Sequence, residues 1–228
     1  MNSTKKTARI VGILFLLVFI THILGTNIIE TLTYAPDYLT SIAVNKSMWV
    51  TALLIMFVCC AGIIGIAIAI FPILRKYNLG VALAYLAFRM VESILFIITE
   101  IKVSSLLTLS EQYNKANTTL DPVFQVLGTT LQESRTWSFE IGMLFFCTAA
   151  FIFYFAFYKS KLLPRFLSIW GILGALFAFV ATLFRLYEIE IPGLGIVLNL
   201  PIAANEIFLS FWLIFKGFNT TAHNKSYK

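Results

Sequence analysis

Polar and apolar positions segregate along this chain in blocks of about twenty residues, not with the two- or three-residue alternation of a soluble fold. Six predominantly apolar runs lie at about 8–26, 48–71, 80–102, 136–158, 166–186 and 195–215. A helix rises about 1.5 Å per residue, so each run is long enough to cross a hydrocarbon layer about 30 Å thick. The pattern predicts an all-α polytopic membrane protein. It is a six-transmembrane-helix bundle forming a single transmembrane domain over residues 1–228, with a polar cytoplasmic tail at 217–228.

Finer signals refine these elements. The first run follows Lys5, Lys6 and Arg9 and ends without an A-x-A-like site, so it reads as an uncleaved first helix. Pro36 and Asp37 suit the opening of a short interfacial helix through Val44. Trp49 is expected at the outer interface, and Pro72 is expected to stop the second span. The third span continues past Lys102 as SSLLTLSEQYNKAN. Thr119, Asp121 and Pro122 then predict a new start, opening a short amphipathic helix with Val123, Phe124, Leu127 and Leu131 on one face. Segments 27–47 and 103–135 together form an outer cap.

Two helix faces are built from small residues, Ala61, Gly65 and Ala69 in the second span and Gly171, Gly174, Ala175, Ala178 and Thr182 in the fifth. Such faces let helices approach closely, within one chain or in a homo-oligomer.

Charge sets the orientation. Lys5, Lys6, Arg9, Arg75, Lys76, Lys159, Lys161, Arg165, Lys216, Lys225 and Lys228 all fall on one side of a six-span topology, with no acidic residue among them. Positive-inside asymmetry places that side, and both termini, in the cytoplasm. Charged residues make up 12% of the chain, about half the share in soluble domains. The net charge of +6 therefore reflects topology, and nucleic acid is excluded as a partner; the lipid bilayer is the expected surrounding. Cys59, Cys60 and Cys147 all lie in apolar runs and read as small buried side chains. No metal or cofactor motif is present, and H-E-x-x-H, G-x-S-x-G and Walker A sequences are absent.

The exceptional residues are charges inside the spans. Counted from Gly80, Arg89 lies roughly 14 Å and Glu92 roughly 18 Å into the layer; from the other side, Glu206 lies roughly 16 Å past Gly195. Unpaired charge at such depth costs about 2.5–3.5 kcal/mol on insertion scales, so these groups should face inward and pair. Tyr85, Arg89, Glu92, Ser93, Thr99 and Glu100 share one helical stripe, and Asn199, Glu206 and Ser210 form another. Arg89 can pair with Glu92 on its own helix and reach Glu206 across the bundle. The set Arg89, Glu92, Glu206, Tyr85 and Asn199 is a candidate site for binding a small apolar, amphipathic or lipid ligand, or for handling protons. Its alternative is an ion pair that fixes helix register. His22, Glu140 and Arg185 form a secondary polar set nearer the outer face. Two other functions remain open, an intramembrane enzyme using Glu92, Glu206 or Glu140 as acid or base, and a structural or partner-binding subunit.

Two stretches carry a resemblance. YKSKLLPRFLSIWG (158–171) resembles the turn signature of a bacterial membrane family known as domain of unknown function 4386, and EIFLSFWLIFKGFN (206–219) resembles its closing signature. FRMVE (88–92), LLTLS (106–110) and the loop ending in Asn45 and Lys46 fit its remaining pattern. The resemblance implies a six-helix protein of the bacterial plasma membrane and attaches no activity to any residue.

Overall fold

The computed structural model describes residues 3–116, 121–189 and 191–219. Thr119, Glu190 and residues 220–228 of the expected tail lie outside the described residues. Among the described residues seven helices occur in order: α1 (Ser3–Thr33), α2 (Tyr38–Val44), α3 (Lys46–Tyr77), α4 (Leu79–Ala116), α5 (Asp121–Ser160), α6 (Arg165–Leu186) and α7 (Leu194–Phe215). All but α2 are long and apolar enough to cross a membrane, as the six-run pattern predicts. No strand occurs among the described residues.

Each spanning helix packs against the next, and α7 returns to α1, so the six helices close into a ring. The centre is filled unevenly. Toward the end that holds the N-terminus and the α3–α4 and α5–α6 turns, a large apolar core joins all six helices. Phe15, Ile70, Tyr85, Phe153, Phe157, Leu167 and Leu209 belong to it. Toward the opposite end the core shrinks to α1–α4, with Ile29, Ile42, Trp49, Met56 and Leu106. The outer part of the ring between α5, α6 and α7 is therefore left open.

Three expectations change. Pro72 does not end α3, which continues to Tyr77. Its missing N–H forfeits one bond, but Leu74 is buried two residues later and the Leu74 carbonyl accepts from the Asn78 N–H at 2.8 Å. Pro201 is carried inside α7 in the same way. Neighbouring helices commonly make such prolines tolerable in spans. Trp49 is not an interface anchor. It is fully buried, and its Nε1–H donates to the Val103 carbonyl at 3.2 Å, tying α3 to α4. The short outer helix is not separate either, because residues 121–160 form one continuous helix. No Pro or Gly interrupts Leu131–Arg135, so the amphipathic turn pattern runs directly into the apolar one. At 38 and 40 residues, α4 and α5 are each about 57–60 Å long. They project together well beyond a layer of about 30 Å. The helix expected within residues 36–44 forms as α2, packed on that projection.

The small-residue face of α6 is used within the ring. Gly174 lies against the backbone of Ile202 on α7, and Gly171 against the ring of Tyr154 on α5. On α3, Ala61 is exposed while Gly65 and Ala69 are half-buried.

Candidate functional site

Two polar layers lie within the ring. The inner one surrounds Arg89. The α4 stripe folds as its spacing predicts, with Tyr85, Arg89, Glu92, Ser93 and Thr99 all buried on one face. Arg89 Nη1 sits 3.1 Å from Glu92 Oε1, to which it donates, and 3.0 Å from Oε2. Both side chains are almost sealed, at 4% and 2% exposure. Nη1 hydrogen-bonds only Oε1, and Arg89 Nε and Glu92 Oε2 have no hydrogen-bond partner among the described residues. The guanidinium also lies 5.8 Å from the centroid of the Phe146 ring, a cation–π distance.

Glu206, on α7, faces the same cavity as Arg89 and Tyr85. It makes no direct ion pair with Arg89 among the described residues. The cavity is closed by Phe15, Phe146, Phe153 and Tyr154, and its volume is about 10 Å³. That is about the room one water molecule needs.

Asn199 does not join this group. Its side-chain amide donates to the Gly195 carbonyl one turn back at 2.8 Å. The buried amide of α7 is Asn205, fully enclosed, with Nδ2 donating to the Leu167 carbonyl at 3.0 Å and Oδ1 without a partner among the described residues. Neither Asn205 nor Tyr154 was singled out from the sequence. The signal for Asn205 is the spacing Ile202, Asn205, Leu209, Leu213, which is the buried face of α7. Nothing in the apolar run around Tyr154 marks its hydroxyl as unpartnered.

The outer layer lies at the gap in the ring. Glu140 on α5 and Arg185 on α6 form an ion pair of 2.7 Å, with Glu140 only 5% exposed and Arg185 38%. Glu140 Oε2 is buried and has no hydrogen-bond partner among the described residues. The pair borders a vestibule of about 1030 Å³ between α5, α6, the α6–α7 connection and the start of α7. Ala181, Leu194 and Leu198 supply apolar wall, and Tyr34, Trp137 and Phe184 supply aromatic wall. Glu188 reaches this space from a left-handed backbone position, φ 55°, that non-glycine residues seldom adopt. Gly193, φ 76°, makes the following turn into α7.

His22 stands apart from Glu140 and Arg185. Its ring stacks with Phe139 at 6.0 Å and Phe96 at 6.5 Å, packing α1 against α4 and α5. Glu100 on α4 and Arg135 on α5, not joined in the sequence analysis, each leave a buried side-chain atom, Oε2 and Nε, without a hydrogen-bond partner among the described residues. Other buried polar contacts tie helices together: Ser93 donates to the Cys60 carbonyl at 3.1 Å, joining α4 to α3. No group of three or more His, Cys, Asp or Glu side chains suited to a metal occurs among the described residues.

No curated protein and no solved structure matches the chain. The matching family model, described as a domain of unknown function (DUF4386), spans residues 10–217, and the chain, a multi-pass protein by its six long apolar helices, belongs to that family.

Proposed function

We propose that this protein binds a small amphipathic molecule in the outer vestibule, as a non-enzymatic component of the plasma membrane. The observation that carries this reading is the contrast in volume between the two polar layers. Ligand sites commonly have volumes of about 300–1,000 Å³. The vestibule, at about 1030 Å³, reaches that scale, whereas the cavity beside Arg89 holds about 10 Å³. The vestibule also combines apolar wall with a few convergent polar groups, the composition such sites favour. On this reading Arg89, Glu92, Glu206 and Tyr85 hold the ring in register, and Asn199 is a local helix contact. Glu140 and Arg185 become the polar end of the ligand site. The single transmembrane domain has both termini in the cytoplasm, supported by the basic residues gathered at the end that carries the N-terminus and the α3–α4 and α5–α6 turns.

The test is a thermal-shift screen of lipids and metabolites on purified protein, repeated on Leu198→Trp, which fills the vestibule, and on Glu206→Gln. A ligand that binds only the folded state raises the transition in proportion to the logarithm of its concentration over Kd. Shifts lost in Leu198→Trp and retained in Glu206→Gln support the vestibule. Shifts that survive Leu198→Trp overturn it.

A further inference from the structure

We infer that the ligand of the vestibule is an amphipathic cation, an organic ammonium or phosphonium carrying apolar groups; this rests on the vestibule being the binding site. Three carboxylates, Glu133, Glu140 and Glu188, line it against a single guanidinium, Arg185. The guanidinium is already engaged, since its Nη1 bonds Glu140 Oε1 at 2.7 Å. Its charge is thereby offset within the wall, and the wall as a whole stays negative. Glu140 keeps a second oxygen, buried and unpartnered, on a side chain that is 95% enclosed and borders the space. Such an acceptor calls for a donor or a positive charge, because a buried polar group without a partner is costly.

The aromatic wall agrees with the charge. Trp137 and Tyr34 are 49% and 77% exposed, so neither ring is consumed by packing. Exposed aromatic faces attract cations through the ring quadrupole, Trp most strongly. The apolar surface of Ala181, Leu194 and Leu198 then accommodates the hydrocarbon part. An anionic amphiphile would meet three carboxylates. A neutral one would leave the Glu140 oxygen unpaired unless it brought a donor. The left-handed backbone at Glu188, φ 55°, brings that carboxylate to the vestibule at the expense of local strain.

The experiment is equilibrium dialysis with full-length protein in nanodiscs of zwitterionic lipid, using three probes of related shape: tetraphenylphosphonium, triphenylphosphine oxide and tetraphenylborate. Binding to Leu198→Trp is subtracted as lipid background. Saturable binding of tetraphenylphosphonium is expected, at least about tenfold tighter than that of either other probe, the scale of one close ionic contact. Glu140→Gln should weaken it about tenfold. Because Glu140 also pairs with Arg185, the exposed Glu133→Gln and Glu188→Gln variants provide a second measure, each expected to weaken binding two- to fivefold, about the scale of an exposed charge contact. If the neutral or anionic probe binds as tightly and is lost in Leu198→Trp, the vestibule stands and the cation inference falls. If the carboxamide variants bind the cation unchanged, the inference also falls. If no probe shows Leu198-dependent binding, both readings fall.

Discussion

Replacing Arg89 by methionine tests whether the inner polar layer holds the ring together. Methionine retains most of the apolar stem and removes the charge. The guanidinium and the Glu92 carboxylate touch at 3.0–3.1 Å and are 4% and 2% exposed, so solvent screens them little. With charge centres about 4 Å apart and an effective dielectric of about 20, their attraction is about 4 kcal/mol. Arg89→Met leaves the Glu92 carboxylate, and Glu206 beside the cavity of about 10 Å³, without their countercharge. The loss should reach about 3–5 kcal/mol, the range for breaking a buried pair from one side. Glu92→Gln should cost less, about 1.5–3 kcal/mol, because the amide oxygen still accepts from Arg89 and Glu206 remains nearby. Glu206→Gln leaves the pair intact and should stay within about 1 kcal/mol of wild type. The double variant Arg89→Met with Glu92→Gln should recover part of the loss, since contacting residues couple by about 0.5–3 kcal/mol. Equilibrium unfolding in mixed micelles, followed by circular dichroism against the mole fraction of dodecyl sulfate, ranks the four proteins. A cost below about 1 kcal/mol for Arg89→Met, or equal costs for Glu92→Gln and Glu206→Gln, would refute the reasoning.

A Cβ at position 174 would sit 2.9 Å from both the backbone N and the Cα of Ile202, atoms that cannot swing aside, so Gly174→Ala should cost about 1–3 kcal/mol. Gly65→Ala, which meets only Leu14 at 3.5 Å, is the tolerant control in the same unfolding assay, and equal behaviour of the two would count against close α6–α7 packing. A phosphatase reporter active only outside the cytoplasm should stay silent when fused after Asn219, and activity there would reverse the orientation.

Element number and identity were legible because lipid imposes a blunt requirement: any span must be a long apolar helix with its backbone bonds closed internally. The stripe from Tyr85 to Thr99 was legible for a related reason, since charge in an apolar run must face inward. What escaped was information carried by other helices. Trp49 at a span end has the signature of a headgroup anchor, and only α2, folded over it, and the Val103 carbonyl make it a core residue. Of the α7 stripe read from the sequence, Ser210 is buried and Glu206 faces the Arg89 cavity, but Asn199 lies off the buried face, which runs through Ile202, Asn205, Leu209, Ser210 and Leu213. Pro72 looked like a breaker because the local rule ignores the packing that holds the helix beyond it. The vestibule has no sequence signature at all. It arises where α5, α6 and α7 diverge, and Glu140 and Arg185 meet there from positions 45 residues apart.

The two layers also bear on whether such a protein binds or conducts. Glu140 and Phe146 are six residues apart on α5, about 9 Å along the axis. Phe146 lines the cavity beside Arg89, and its ring lies 5.8 Å from the guanidinium. Phe15, Phe153 and Tyr154 complete the wall, and Phe153 itself packs against Phe15 at 6.0 Å and Tyr85 at 5.5 Å. On the proposed reading, a cation moving from the vestibule toward Arg89 would approach a guanidinium that repels it, beside a cavity sized for one water. Attraction at Glu140 followed by repulsion at Arg89 would hold such a cation at the vestibule end of the ring.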